Sequence, residues 1–357
     1  MLIMALALGF AQRCGTDSRE PQPPAALIVS EPPAGEFYHG VFPGGRDGMC
    51  SDITPTELAA FRRVTGKTPT WVYFCNNWYE SPAFPESTAT WIRANGSIPY
   101  IRMMLFSSKF IPCPDPVYRL ENIIRGRFDP ELRQWMRDAK HFGSPILAEY
   151  GVEVNGFWFP WNGLWNREGG TYEDAVERFR KAYRHIISIA REEGAYNVRW
   201  VFHADPWDEP LDQWNHFENY YPGDEWIDWV GLSVYGRQAP SDPYYPSFRE
   251  QMDKAYNRLV KMTSKPVIVC EFGTISDAGQ AAWAEAALSD LTGGRWPRVI
   301  GFSWWNAAFY NDLVNAKNRS DMRVEDSPQL AAIFRARMGR NPRVLSQPAT
   351  AVRSGWF

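Results

Sequence analysis

At 357 residues with a net charge of −3, the chain is long enough for one large barrel or two average domains, and too nearly neutral to favour a nucleic acid or an anionic membrane surface as partner. Aromatic residues make up 15% and include 17 tryptophans. So many indole N–H groups are hard to satisfy in a core alone, so some are expected to line a wet cleft, where flat sugar faces can stack on them.

The N-terminus, M-L-I-M-A-L-A-L-G-F-A, is apolar over the length of a signal-peptide core and too short for an ordinary bilayer span. Residues 1–14 are expected to be an export-signal remnant, without the usual basic residues ahead of it. A periplasmic, cell-surface or extracellular location follows from that reading. Cys14 raises lipid attachment, although Ala11-Gln12-Arg13 matches a lipoprotein box poorly. Residues 15–36, with Pro21, Pro23, Pro24, Pro32 and Pro33, read as an extended linker. One folded domain is expected over 37–340, with a tail over 341–357. Cys50, Cys75, Cys113 and Cys270 lack metal-type spacing. Export permits one disulfide among Cys50, Cys75 and Cys113, with the pairing open.

Within the domain, apolar runs alternate with helical patterns. The expected strands are Tyr38 to Phe42, Thr70 to Cys75, Ile98 to Leu105, Ile146 to Val152, Val198 to His203, Trp229 to Val234, Val267 to Cys270 and Val299 to Trp304. The expected helices open at Thr54-Pro55 and run over Glu86 to Ala94, Asp129 to His141, Tyr172 to Glu193, Phe248 to Met262, Gly279 to Leu291 and Gln329 to Arg337. Eight strand–helix units spell a single-domain α/β fold, the (β/α)₈ TIM barrel, over a doubly wound open sheet. A barrel puts chemistry on the loops at the strand C-termini.

Two strands end in a glutamate. P-I-L-A-E-Y-G-V-E-V-N-G-F-W-F-P-W carries Glu153 into an aromatic loop with Asn155, Trp158 and Trp161. P-V-I-V-C-E-F-G carries Glu271. A lone strand-end Glu is usually solvated or paired with a lysine. Two of them, on the fourth and seventh strands of one barrel, suit glycoside hydrolysis, which needs an acid and a nucleophile. Burial among rings is expected to keep Glu153 protonated, and a hydrogen bond from Tyr235 or a nearby Arg to keep Glu271 ionised. Glu149, mid-strand, competes with Glu153 for the acid role or serves as a buried partner. His39, Trp78, His203, Trp304 and Trp305 also fall on the active face and are candidate sugar contacts. His203-Ala204-Asp205 and His39 lack metal-ligand spacing, so no metal and no cofactor is expected.

The chain resembles family 26 of the glycoside hydrolases. The family's His-Glu-Met-Asn-Gly motif with a following Trp stands here as Val152-Glu153-Val154-Asn155-Gly156 with Trp158 and Trp161. Y-Y-P-G-D-E-W-I-D-W-V-G-L-S-V-Y (Tyr220 to Tyr235) and I-I-R-G-R-F-D (Ile123 to Asp129) are similar to other family stretches. The resemblance, over about Tyr38 to Arg337, implies Glu153 as acid/base, Glu271 as nucleophile, Tyr235 as its hydrogen-bond partner, and Trp304 or Trp305 as the floor at the cleaved bond. Val152 departs from the motif's His, Glu149 from a frequent Arg and Ser233 from a common Asp. These departures touch substrate recognition more than the Glu pair. The expected activity is retaining, endo-acting hydrolysis of a polysaccharide, with β-1,4-mannan first. Mixed-linkage or β-1,3-glucan and β-1,3-xylan are alternatives, and a carbohydrate-binding barrel without catalysis is the alternative of another class. The partner is the polysaccharide or oligosaccharide, and a monomer is expected. With Val152 unable to read the sugar 2-hydroxyl, His203 or Asn155 is expected to take over, or else selectivity between manno- and gluco-sugars is poor.

Overall fold

The computed structural model describes residues 25–44, 52–310 and 319–355. The export-signal reading of residues 1–14, with Cys14, lies outside them, as does Cys50. Among the described residues no helix is long and apolar enough to cross a membrane.

In chain order the elements are β1 (Ala26–Val29), β2 (Phe37–Phe42), α1 (Pro55–Thr65), β3 (Trp71–Asn77), α2 (Glu86–Ala94), β4 (Ile98–Met104), α3 (Leu120–Ile124), α4 (Asp129–Phe142) and β5 (Ile146–Tyr150). There follow α5 (Tyr172–Glu193), β6 (Val198–Ala204), α6 (Phe217–Tyr220), β7 (Trp229–Tyr235), α7 (Phe248–Met262), β8 (Val267–Gly273), α8 (Gln280–Gly293) and β9 (Val299–Trp305). The chain closes with β10 (Ala308–Tyr310), β11 (Arg319–Asp321), α9 (Pro328–Phe334), β12 (Val344–Leu345) and β13 (Thr350–Arg353). Strands β2 to β9 pair in sequence order, all parallel, and β2 also pairs with β9. The sheet is therefore a closed eight-stranded barrel, with helices between the strands, as the alternating pattern predicted.

Local chemistry sets the boundaries. Helix α5 begins where Thr171 and Asp174 cap each other's backbone N–H reciprocally, satisfying donors that would otherwise be left over at a helix start. In the barrel foot the Trp71 indole fills the space that Gly40 and Gly301 leave. A Cβ on either glycine would lie 2.0 Å and 2.4 Å from its atoms. Its N–H donates to the Ser303 hydroxyl at 2.6 Å.

The chain ends depart from the expected layout. The stretch read as linker supplies β1, which pairs antiparallel with β13 from the stretch read as tail. From that same tail, β12 pairs with the N-terminal half of β2. Arg199 and Arg353 both bond the Asp228 carboxylate, pinning this two-stranded ribbon to the barrel. Cys75 is disulfide-bonded, while Cys113 and Cys270 are free thiols.

Candidate active site

A cleft of about 440 Å³ opens at the C-terminal ends of the barrel strands. Glu153, Glu271, Arg102, Asp205, Tyr235, Trp158 and Trp305 are among its walls. Strand β5 ends at Tyr150, two residues before the expected Val152, so Glu153 stands in the loop that follows rather than directly at the strand end. Gly151 (φ 75°) and Glu153 (φ 47°) take the left-handed region there. For a glutamate that conformation costs about 1–2 kcal/mol, so the surrounding loop must impose it.

Asn155 does much of this. It is fully buried, and its amide donates to the carbonyls of Asp205 (3.0 Å) and Trp207 (3.1 Å) and to Asp208 (2.9 Å), while its oxygen accepts from the Asp205 N–H (2.8 Å). It therefore staples the loop after β5 to the loop after β6. Trp161 donates to the Val152 carbonyl (2.8 Å) and Asn162 to that of Val154 (2.9 Å). The turn's inward carbonyls are thus paired by side chains, since no ladder is left to pair them. With its backbone held, Glu153 accepts the Trp158 indole N–H at 2.7 Å.

Glu271 reaches the cleft through an irregularity. Register shifts between Leu232 and Ser233 and between Val269 and Phe272 break the alternation of β8. Cys270 and Glu271 consequently both meet interior groups: the Cys270 sulfur lies 3.2 Å from the Tyr100 hydroxyl, and Glu271 accepts from Tyr235 (2.7 Å) with the Tyr73 oxygen 3.1 Å away. Burial raises Glu271 above the ordinary glutamate range, against the pull of the Arg102 charge. One oxygen each of Glu153 and Glu271, with a ring nitrogen of His203, lie within 4.8 Å of one another.

Glu149 is no rival acid. It lies in the barrel interior, accepts the Tyr73 and Tyr100 hydroxyls, and faces His203 Nδ1 at 3.1 Å and Arg102 Nε at 3.6 Å. Those positive neighbours hold it below the usual carboxylate range despite its burial. The guanidinium that the resemblance placed at 149 comes instead from position 102 on the neighbouring strand. The sets that could ligate a metal, Glu149 with His203 and Cys270 or Glu153 with His203 and Glu271, both face that guanidinium, which disfavours a cation.

Of the expected sugar contacts, Tyr235, Trp158 and Trp305 line the cleft. Trp305 stacks on Phe42 at 3.9 Å and faces the cleft, whereas Trp304 is not among its walls. Six others are held elsewhere. Trp304 is buried, donating to the Met322 carbonyl and packing edge-on to Phe272 and Phe334. Trp161 is stacked on Phe159 inside the loop, and Trp78 is buried against Tyr118. His39 is buried beside the Leu345 carbonyl, and burial pushes it down to about 3. His203 is closed in between Glu149 and Ser233 (2.8 Å), and Asn155 is spent on the loop. Val152 is itself in the core, 1% exposed; among the described residues, the polar side chains lining the cleft beside Glu153, Glu271 and Tyr235 are Asp205, Gln238, Asp52 and Arg102. Burial, and then the Glu153 charge, push the Asp205 carboxyl well above its ordinary range.

Tryptophan placement gives a test. Trp161→Ala should cost about 3–5 kcal/mol of stability, the usual penalty for emptying a buried indole site, with little change in KM for the protein that remains folded. Trp158→Ala should do the reverse. Thermal melts beside Michaelis kinetics separate the two; a raised KM and unchanged melting in Trp161→Ala would make it a sugar platform.

The model of glycosyl hydrolase family 26 matches residues 121–322. The chain belongs to this family. The match takes in Glu153, Tyr235 and Glu271 together with the strands that carry them. Endoglucanase H of Acetivibrio thermocellus is 26% identical over 301 residues, covering 83% of this family 26 chain and 30% of that protein. The chain thus spans under a third of that relative. A mannan endo-1,4-beta-mannosidase of Bacillus subtilis is 22% identical over 292 residues, covering 73% of the chain and 74% of that protein. Among solved structures, the YdhT protein from Bacillus subtilis superposes with a TM-score of 0.61 at 17% identity, covering 89% of this chain and 88% of that one, a likeness of fold.

Proposed function

We propose that this family 26 chain is a retaining, endo-acting β-glycanase that hydrolyses β-1,4-mannan. The observation that carries the reading is the carboxylate pair: Glu153 and Glu271 share one cleft with oxygens within 4.8 Å. A separation near 5–5.5 Å suits direct attack, whereas about 6.5–9.5 Å would admit the water of an inverting enzyme. Glu271, held by Tyr235, attacks the anomeric carbon, and Glu153 gives its proton to the leaving oxygen. Glu153 then takes a proton from the water that releases the glycosyl-enzyme. Trp305 and Trp158 supply faces for the sugars on either side. Mannan leads because a mannan endo-1,4-beta-mannosidase aligns along about three quarters of both chains. A β-glucan is the second reading, because endoglucanase H aligns over more of this chain.

Purified protein offered mannan, mixed-linkage glucan, laminarin and β-1,3-xylan should release short oligosaccharides from mannan most rapidly. With Val152 buried and unable to read the sugar 2-hydroxyl, lower but measurable activity on a gluco-configured polymer is also expected. NMR of the first products should show the β-anomer. An α-anomer overturns retention. Binding of the glycans without cleavage of any favours the binding-barrel alternative.

A further inference from the structure

Beneath Glu271 the barrel holds more charge than an acid and a nucleophile require. Arg102 extends from β4 with Nη2 3.3 Å from Glu271 and Nε 3.6 Å from Glu149. All three side chains are nearly buried, at 6%, 5% and 1% exposure. The guanidinium lies 5.3 Å from the Tyr73 ring centroid and 5.6 Å from that of Trp305, so aromatic faces confine it. Its Nε–H finds no hydrogen-bond acceptor. The cation is thus poised between two carboxylates and committed fully to neither.

We propose that Arg102 and Glu149 form a charge-balancing pair for Glu271: Arg102 compensates the Glu271 charge before attack, and Glu149 keeps Arg102 paired once that charge is gone. This rests on Glu271 being the nucleophile. When a Glu271 oxygen bonds the anomeric carbon, the bond to the leaving oxygen breaks and that oxygen takes the Glu153 proton. Glu271 becomes a neutral ester. A buried guanidinium with no other counter-charge would resist that change, because an unpaired buried ion is costly. Glu149 remains ionised throughout, fixed by two tyrosine hydroxyls and by His203, whose far nitrogen is anchored on Ser233. Glu153 carries the negative charge at that stage but is bonded to Trp158. Both Arg102 and Glu149 act through Glu271, so they are positioning residues.

The groups facing Glu271 are Tyr73 from β3, Arg102 from β4, Glu153 after β5, His203 from β6 and Tyr235 from β7. Two of these interactions respond oppositely to substitution. Removing Arg102 removes the nearest positive charge, so protonation of Glu271 becomes easier. Removing the Glu149 charge leaves Arg102 to Glu271 alone, so protonation becomes harder.

The experiment is the pH profile of kcat/KM for the wild-type protein, Arg102→Met, Glu149→Gln and the double variant, with thermal melts of each. Arg102→Met should move the acid limb up by about 1–3 pH units, the reach of a close cation on a carboxylate. Glu149→Gln should move it down and lower kcat at least about tenfold on substrates whose first step limits turnover. Arg102→Lys should keep the limb near wild type while lowering kcat. Because a lone buried charge could prevent Arg102→Met from folding, the double variant carries neither charge. It should fold, and its limb should stay above that of wild type. Limbs that move the same way in both single variants, or stay put while only melting temperatures fall, overturn the proposal, as does a double variant with wild-type kinetics.

Discussion

Glu271→Ala is expected to abolish turnover, by at least about 10⁴-fold in kcat, while oligosaccharide binding survives. Loss of a nucleophile that acts as part of a unit removes nearly all the chemistry, not an additive share of it. The rings that would hold a sugar, Trp305 on Phe42 and Trp158, make no contact that depends on the Glu271 carboxylate. Arg102 keeps Glu149 as counter-ion, so the fold is expected to hold. The wild-type profile gives the companion result. In the proposed reaction the carboxylate form attacks, and burial raises Glu271 above the ordinary glutamate range even against Arg102. The acid limb of kcat/KM, which reports the free enzyme, should therefore lie above the ordinary value, with activity lost as pH falls through it. Isothermal titration with oligosaccharide on Glu271→Ala, beside turnover of the native protein across pH, checks both. Residual activity above about a tenth of wild type would remove Glu271 from the nucleophile role.

Much of the barrel was legible because its local signals agree. The helices read as Tyr172 to Glu193, Glu86 to Ala94 and Phe248 to Met262 have those same limits in the structure. At α5 a Thr–Asp capping box marks the start, and Ser247 accepts the Glu250 N–H at the start of α7. The closing ribbon was not legible. Its strands are four residues each, pair across nearly the whole chain, and sit among prolines that suggest a linker. Composition also overstated the wet aromatics. Trp135, Trp161 and Trp304 are buried because Asn76 and two backbone carbonyls take up their N–H groups.

That Glu153 and Glu271 meet in one cleft was legible in the sequence, whereas their surroundings were poorly legible. A residue's place at a strand end does not say whether its side chain enters the cleft or the wall. His203 and Asn155 were read as sugar contacts, yet both are fully buried and hydrogen-bonded to protein. Arg102 and Tyr73 were missed because they stand inside the apolar runs I-P-Y-I-R-M-M and W-V-Y-F-C. A signal was present. An arginine in the middle of a buried strand must find an anion, and Glu149 in the middle of the next strand is equally short of a cation. The register sets Arg102 directly beside Glu149. Two unmatched charges on consecutive barrel strands could therefore have been paired from the sequence, and with them the charge setting of Glu271.

Glu153→Ala should separate the two halves of the reaction. Without the acid, the first step depends on how well the leaving group departs unaided. On mannan, whose leaving oxygen is a sugar hydroxyl, the rate should fall by about 10²–10⁴-fold, the usual worth of a positioned acid or base. On an aryl glycoside with an acidic phenol, the first step needs little protonation and should proceed. The second step still lacks its base, so the glycosyl-enzyme should accumulate and appear as a burst of phenol followed by slow turnover. Azide needs no base, is small enough for the space the side chain vacates beside Trp158, and attacks the face the leaving group has left. It should restore turnover and yield the β-glycosyl azide. The same salt added to Glu271→Ala should give the α-azide, because there it attacks from the opposite face. Mass spectrometry of the burst species and NMR of the azide products make the measurement. No burst and no azide rescue in Glu153→Ala would move the acid role to another carboxyl of the cleft, and Asp205, held by the Trp207 N–H at 2.8 Å, would be the next to test.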